Sequence, residues 1–372
     1  MADTDNLSEI AAFLNWLARS TDKEPLQVSA FMQAALSHPE WGYYARKPVF
    51  GKGGDFITAP EITQLFGEML AGLLIYIWQL YGKPDATLFE AGPGRGTLLA
   101  DMDRTYRQLA PDFAKNPWRL YEASPALRAI QAEKLADNKP QHITDLDALP
   151  PAPLFGVANE FFDALGVNQF LYVGQHWHHR LIAQEDEALQ FCIGPKIEAE
   201  ADPELAQRLP HTANEGDIFE YSPSGIAIMD KLAHHIAHYG GALLICDYGK
   251  TDGHGDSLQA IQDHQAVSFL SAPGVSDLTH WVDFQALADS AAQAGARLIG
   301  PQPQGKFLKQ LGIETRANRL SRPDAPGADR ALVAALDRLL SPAQMGQVFK
   351  VALLVPAGEG LPPGFATEEA QA

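Results

Sequence analysis

Apolar residues near the start of the chain recur at helical spacing, at Ile10, Phe13, Leu14 and Leu17. This is the period of one buried helix face. A second helix is predicted over Val28 to Leu36 and stopped by His38-Pro39, because a residue before proline is pushed out of the helical region. Trp41 to Pro60 has no period and reads as an ordered loop, with Gly51-Lys52-Gly53-Gly54-Asp55 free to take unusual backbone angles. Pro60-Glu61 then opens a helix to about Leu80, with Leu65, Met69, Leu73 and Ile77 along one face.

From Thr87 the pattern changes to short apolar runs alternating with helical periods. Strands are predicted at Thr87 to Glu90, Arg119 to Glu122, His142-Ile143, Leu154 to Ala158 and Ala242 to Cys246. Helices are predicted at Thr97 to Leu109, Pro125 to Leu135 and Ile226 to Tyr239. Apolar strands separated by helices imply a parallel sheet covered on both faces. Further on, Arg297-Leu298-Ile299 precedes a helix at Phe307 to Leu311, and Val348 to Val355 is a last strand, expected as an antiparallel edge. Phe170 to Val173 and Trp177 to Ile182 break the alternation and read as a hairpin turning at Gly174-Gln175. The expected fold is therefore α/β and Rossmann-like. A helical region with its following loop covers 1–83, the core covers 84–167 and 223–356, a β-rich insertion covers 168–222, and a flexible tail covers 357–372.

Composition narrows the function. The net charge of −18 over 372 residues argues against nucleic-acid binding, which runs on clustered Lys and Arg, and favours a cationic partner. No apolar run is long enough to span a bilayer, and the chain does not open with a charged-then-apolar signal. Cys192 and Cys246 lie far apart and outside any CxxC pair, which leaves no disulfide framework or structural zinc site to expect. These features suggest a cytoplasmic protein. Oligomeric state stays open, with a homodimer among the options.

The densest chemistry lies at Glu90-Ala91-Gly92-Pro93-Gly94-Arg95-Gly96-Thr97, where an apolar strand turns into a helix. Glycines there let backbone approach a ligand closely. The dinucleotide fingerprint is G-x-G-x-x-G, but here the order is G-x-G-x-G, with Thr97 at the third glycine's place. The strand also ends in a carboxylate. Glu90 would oppose a pyrophosphate and would suit a ligand carrying ammonium and sulfonium charges. That moves the reading from a nicotinamide cofactor to S-adenosylmethionine, although the same turn also serves as a structural bend with no ligand. Glu122, at the end of the next strand, is placed to accept hydrogen bonds from both ribose hydroxyls. Asp145, after the third strand, could meet the adenine amino group, with Asp147 competing for that role.

Two more strands run into acids, at Asn159-Glu160-Phe161-Phe162-Asp163 and at Asp247-Tyr248-Gly249. In open α/β sheets ligands bind outside the carboxyl ends of the strands, so Asn159 should lie beside the donor. Glu160, Asp163 and Asp247 should form an acidic pocket for a guanidinium, which stays protonated in proteins and needs carboxylates to hold it. The plainer alternative makes Asn159 a helix cap and Glu160 a first-turn acid. His234 and His238 share a helix face at i, i+4 spacing, which fits a solvated face better than a metal site. His264 and His280 lie in loops near strand ends, where either could accept a proton.

Taken together, these segments resemble the MidA-like methyltransferase family, which includes a mitochondrial complex I assembly factor that methylates arginine. The similarity starts at Gly42-Tyr43-Tyr44. It is densest at Gly54-Asp55-Phe56-Ile57-Thr58-Ala59-Pro60-Glu61-Ile62 and Phe66-Gly67-Glu68. It continues through Glu90 to Thr97, Asn159 to Leu165, Asp247-Tyr248-Gly249, Asp263-His264 and Asp277-Leu278-Thr279, and it closes at Phe307-Leu308 and Leu311-Gly312-Ile313. The resemblance implies a seven-stranded class I methyltransferase sheet and S-adenosylmethionine as donor. It implies that Gly54 to Glu61, Thr58 included, belongs to the site and closes over the donor. It also implies an arginine acceptor on a protein such as a complex I subunit. The chain departs from the family pattern at Asn159, where His is common, at Gly166, where Pro is common, and at His280-Trp281. It carries no obvious mitochondrial presequence, which fits a bacterial, cytoplasmic expectation. Rival readings are a small-molecule or carboxylate acceptor, and a non-catalytic assembly factor that binds the donor structurally.

Overall fold

A computed structural model describes residues 2–45, 58–135, 139–185, 188–198, 200–321 and 326–365. The core strands are β1 (Thr87–Ala91), β2 (Trp118–Tyr121), β3 (Gln141–Ile143), β4 (Leu154–Asn159), β5 (Gly241–Lys250), β6 (Ala296–Pro303) and β7 (Phe349–Pro356). They lie in the order β3-β2-β1-β4-β5-β7-β6, with Val282–Asp283 added beside the far end of β5. All run parallel except β7. The central strands are apolar without alternation because helices cover both faces. Leu88, Phe89, Leu154, Phe155, Val157 and Ala242 to Cys246 are fully buried.

Local signals set the helices that position the site. Ser124 and Ser222 accept bonds from Leu127 N–H and Gly225 N–H, each followed by proline at the first helical position. The helix read from Pro60 to Leu80 is two helices, Ala59–Ile62 and Gln64–Leu80. Thr63 is extended between them, and its hydroxyl caps the second through Leu65 N–H.

The last strand is not an edge. The connection from β5 through the helix Phe284–Gln293 puts β6 two places away, and β7 fills the gap antiparallel to both neighbours. An interior strand must be apolar on both faces, and Val351 to Leu354 are completely buried. Between β6 and β7 stand the helices Gln304–Gln310, Ile313–Leu320, Pro326–Leu340 and Met345–Val348, most of which the periodicity does not reveal. The tail is anchored where it leaves β7: Phe365 packs on Phe307 with ring centroids 5.3 Å apart.

The region around 168–222 forms a separate antiparallel sheet of Asn168–Val173, His176–Glu185, Ala188–Lys196 and Ile218–Tyr221. Leu26–Gln27 pairs with its second strand. The N-terminal helices do not stand apart from this sheet, because Phe13, Phe31 and Met32 share one apolar cluster with Val167, Ile182 and Leu278. A three-stranded sheet of Gln259–Gln262, Gln265–Val267 and Asp277–Thr279 completes that side.

Candidate active site

The sheet order reverses between β1 and β4, so a crevice opens beyond their carboxyl ends. A cavity of 1180 Å³ lies there, lined from both strands. Pockets for one small ligand run to roughly 1,000 Å³, so this one has room for a donor and an acceptor side chain.

One end is built from backbone. Gly92, Gly94 and Gly96 take φ of +62°, +51° and +72°, a region that costs any residue with a Cβ. A Cβ on Gly92 would stand 2.7 Å from the Phe161 ring. Gly96 starts the helix Thr97–Leu109, whose first residues Thr97 and Leu98 line the cavity. Glu90 is 2 % exposed, and its Oε2 is buried without a hydrogen-bond partner among the described residues. Burial first, and Glu122 second, push its carboxyl up to about 8. Glu122 accepts from Ser124 N–H at 2.8 Å and from Gln131 Nε2 at 3.1 Å. Gln131 Nε2 also donates to Gly94 O at 2.7 Å, so this buried amide ties the glycine turn to Glu122. Sequence reasoning passed over Gln131, whose only signal was a polar residue on the inner face of a helix.

An orphaned acidic oxygen on a buried carboxylate, and a second carboxylate fixed beside the glycine turn, fit a ligand with an ammonium, a sulfonium and ribose hydroxyls. Asn159 and Thr58 also line this cavity. Gly54 to Ile57, the first half of the loop expected to close over the donor, lie outside the described residues.

The other end is built from carboxylates. Glu160 follows β4 with φ +49°, a left-handed conformation uncommon for a residue with a side chain and typical of functional turns. Its Oε1 accepts from Ala59 N–H and from Asn159 Nδ2, both at 3.3 Å. Burial drives its carboxyl up to about 7 against those two bonds. Asp163 is 5 % exposed, and its Oδ1 has no hydrogen-bond partner among the described residues. Burial, then Asp247, Glu160 and Asp277, hold it well above the ordinary carboxylate range. Asp277, Tyr44, Tyr248 and Arg338 join this lining from four other segments. Of these, Asp277, Tyr44 and Tyr248 fall in segments of family resemblance and could have been singled out; nothing in the sequence marks Arg338.

Two expected site residues lie elsewhere. Asp247 is completely buried and does not line the cavity. Its Oδ2 accepts from the N–H groups of Phe161, Phe162 and Asp163 at 3.2, 3.0 and 3.4 Å, and its Oδ1 from Tyr248 N–H at 3.0 Å. Asp247 therefore shapes the turn that carries Glu160 and Asp163 and does not face an acceptor. Asp145 is also absent from the lining. Its carboxylate caps a 3-10 turn through Asp147 N–H and pairs with Lys231 at 3.2 Å, with the side chain 62 % exposed.

The four histidines singled out in the sequence, His234, His238, His264 and His280, stay outside as well. His280 is 3 % exposed, with ring nitrogens 3.0 and 2.9 Å from the carbonyl oxygens of Trp281 and Leu165. It braces the Asp163 turn and does not reach the cavity. His264 sits at an exposed hairpin tip, and His234 and His238 are exposed on their helix. Among the described residues no group of three or more ligand-type side chains could hold a metal ion, and no helix is long and apolar enough to cross a membrane.

A family model for S-adenosyl-L-methionine-dependent methyltransferases matches residues 69–302. The protein arginine methyltransferase NDUFAF7, mitochondrial, of Xenopus laevis is 34 % identical over 361 residues, covering 89 % of this chain and 81 % of its own. Its Homo sapiens counterpart is 34 % identical over 362 residues, covering 89 % and 80 %. A crystal structure from Burkholderia thailandensis, bound to S-adenosyl-homocysteine, superimposes with TM-score 0.85 at 27 % identity, over 97 % of this chain and 96 % of that one. These relatives overturn the cytoplasmic expectation, because the curated ones are mitochondrial proteins. Cysteine usage had suggested the cytoplasm, but reduced cysteines do not distinguish one compartment from another.

Proposed function

We infer that this chain, which belongs to the S-adenosyl-L-methionine-dependent methyltransferase family, transfers its methyl group to a guanidinium nitrogen of a protein arginine. The observation that carries the acceptor is the carboxylate group of Glu160, Asp163 and Asp277 on the same cavity as the glycine turn. The net charge of −18 also suits a cationic partner, and the curated relatives are named as arginine methyltransferases. A respiratory complex I subunit is the candidate acceptor that follows from the family resemblance.

When bound, S-adenosylmethionine supplies an electrophilic methyl on a sulfonium. Glu90 offers its unpartnered oxygen to the donor's positive groups, and Glu122 offers its fixed carboxylate to the ribose hydroxyls. Glu160 and Asp163 accept N–H bonds from the guanidinium and hold its plane, so that one nitrogen points along the line of displacement. Phe161, packed between the glycine turn and Tyr121, adds an apolar wall to the cavity beside Glu160. Asp163, ionised once the positively charged guanidinium lies against it, would take the proton that the nitrogen gives up on methylation. Its burial among like charges raises its proton affinity.

The test uses methyl-labelled donor with the purified protein and complex I subunits, followed by acid hydrolysis and amino-acid analysis. Label is expected in methylarginine. Label in a base-labile ester, or only in small molecules, would overturn the arginine acceptor.

A further inference from the structure

The segment Thr58–Ile62 touches both ends of the cavity. Toward the acceptor end, Ala59 N–H donates to Glu160 Oε1 at 3.3 Å. Toward the donor end, Glu61 Oε1 lies 4.0 Å from Arg95, inside the glycine turn. Ala59 and Pro60 are buried, and Glu61 has a side-chain exposure of 13 %. The segment's far end is fixed, since Thr63 caps the long helix Gln64–Leu80. A short helix clamped in this way cannot shift at one end without moving the other.

We propose that Thr58–Ile62 is a strut that couples the glycine turn to Glu160, with Glu61 engaging Arg95 and the Ala59 N–H fixing the carboxylate that faces the acceptor. Glu160 is then a catalytic residue, and Ala59, Glu61 and Arg95 position it. The inference rests on placing Glu160 at the acceptor end. Filling the donor site restrains Arg95, holds the strut, and readies Glu160 before an acceptor arrives. By reciprocity, an acceptor on Glu160 tightens the donor turn.

Glu160 faces charged and titratable groups from every neighbouring element: Glu61 on the strut, Asp163 on its own turn, Cys246 and Asp247 on β5, Tyr44 on the N-terminal side, and Arg338 on the helix Pro326–Leu340. Arg95 meets the strut through Glu61, 4.0 Å away.

The experiment follows the Glu160 carboxyl by carbon NMR in the ligand-free protein, with Glu160→Gln giving the assignment. Arg95→Met is expected to raise the Glu160 midpoint by roughly half a pH unit, and the part of the rise that persists at high salt, where a plain charge effect is screened, is the part carried by the loosened N–H bond. Ala59→Pro replaces that N–H with a methylene at a first-turn position proline tolerates, after a Thr58 already extended at ψ 161°. It should raise the midpoint at least as far while donor affinity stays within about threefold. Glu61→Gln also removes a like charge, so a plain charge effect would lower the midpoint whereas the strut predicts a rise or no net fall. Midpoints unmoved in both Arg95→Met and Ala59→Pro, with wild-type melting, would overturn the strut. The titration needs no acceptor, so failure of the arginine reading leaves its outcome unaffected.

Discussion

The donor end of the cavity is centred on one continuous piece of backbone, while the acceptor end is assembled from side chains far apart in the chain. Glu90 to Thr97 supplies a strand end, three left-handed glycines and a helix start within eight consecutive residues. Tyr44, Glu160 with Asp163, Tyr248, Asp277 and Arg338 come from five separate segments. The first design depends on the absence of side chains. The second depends on forcing carboxylates together against their mutual repulsion and holding them with backbone N–H donors. A ligand common to many enzymes is met by the first, and the partner particular to this one by the second.

Substitutions should separate the two ends. The largest effect is expected at the turn. Gly92→Val sets a branched side chain against Phe161 at a backbone angle it cannot adopt. Donor affinity should fall by on the order of 100-fold, equivalent to roughly 3 kcal/mol, as measured by calorimetry. Retained affinity would remove the backbone from the account.

Glu122→Ala comes next. Donor affinity should drop about 10- to 100-fold with the loss of charged hydrogen bonds to the ribose. The rate at saturating donor should change little, because such binding is uniform along the reaction. A collapse in that rate would place Glu122 at the wrong end.

The third effect is on stability. Glu90 has a folded pKa raised to about 8 from 4.5. Below 4.5 it is protonated in both states; between the two values the folded state holds the proton and the unfolded state does not. Its contribution is therefore lost as pH rises toward 8. Wild type should melt close to Glu90→Gln at pH 5 and fall below it by several degrees, on the order of 5 °C, at pH 8 without donor. A gap that opens the other way would mean Glu90 is stabilised as an anion. The smallest effect is expected for Asp145→Ala, with donor affinity unchanged within about twofold, as for other exposed carboxylates in surface ion pairs.

The same contrast explains how far the sequence could be read. Strand and helix order follows from apolar runs and caps, so the core sheet and the turn at Gly92 are legible. The interior position of β7 was not, because an apolar run on both faces reads the same at an edge or in the middle until its neighbours are known. Glu160 was legible as an acid after a strand. The actual work of Asp247 was not, because four backbone N–H bonds to one carboxylate exist only once β4 and β5 lie side by side. Gln131 and Arg338 reach the site from helix faces whose direction the sequence alone does not specify, and Asp145 looked right only because its surface pair with Lys231 was invisible.

The most direct measurement is made on Glu160→Gln, with donor affinity by calorimetry and single-turnover methyl transfer on the same preparation. The account predicts donor binding within about threefold of wild type and transfer reduced by on the order of 1,000-fold, the scale of losing one group preorganised toward the reacting centre. Parallel loss of donor binding, or transfer at the wild-type rate, would contradict it.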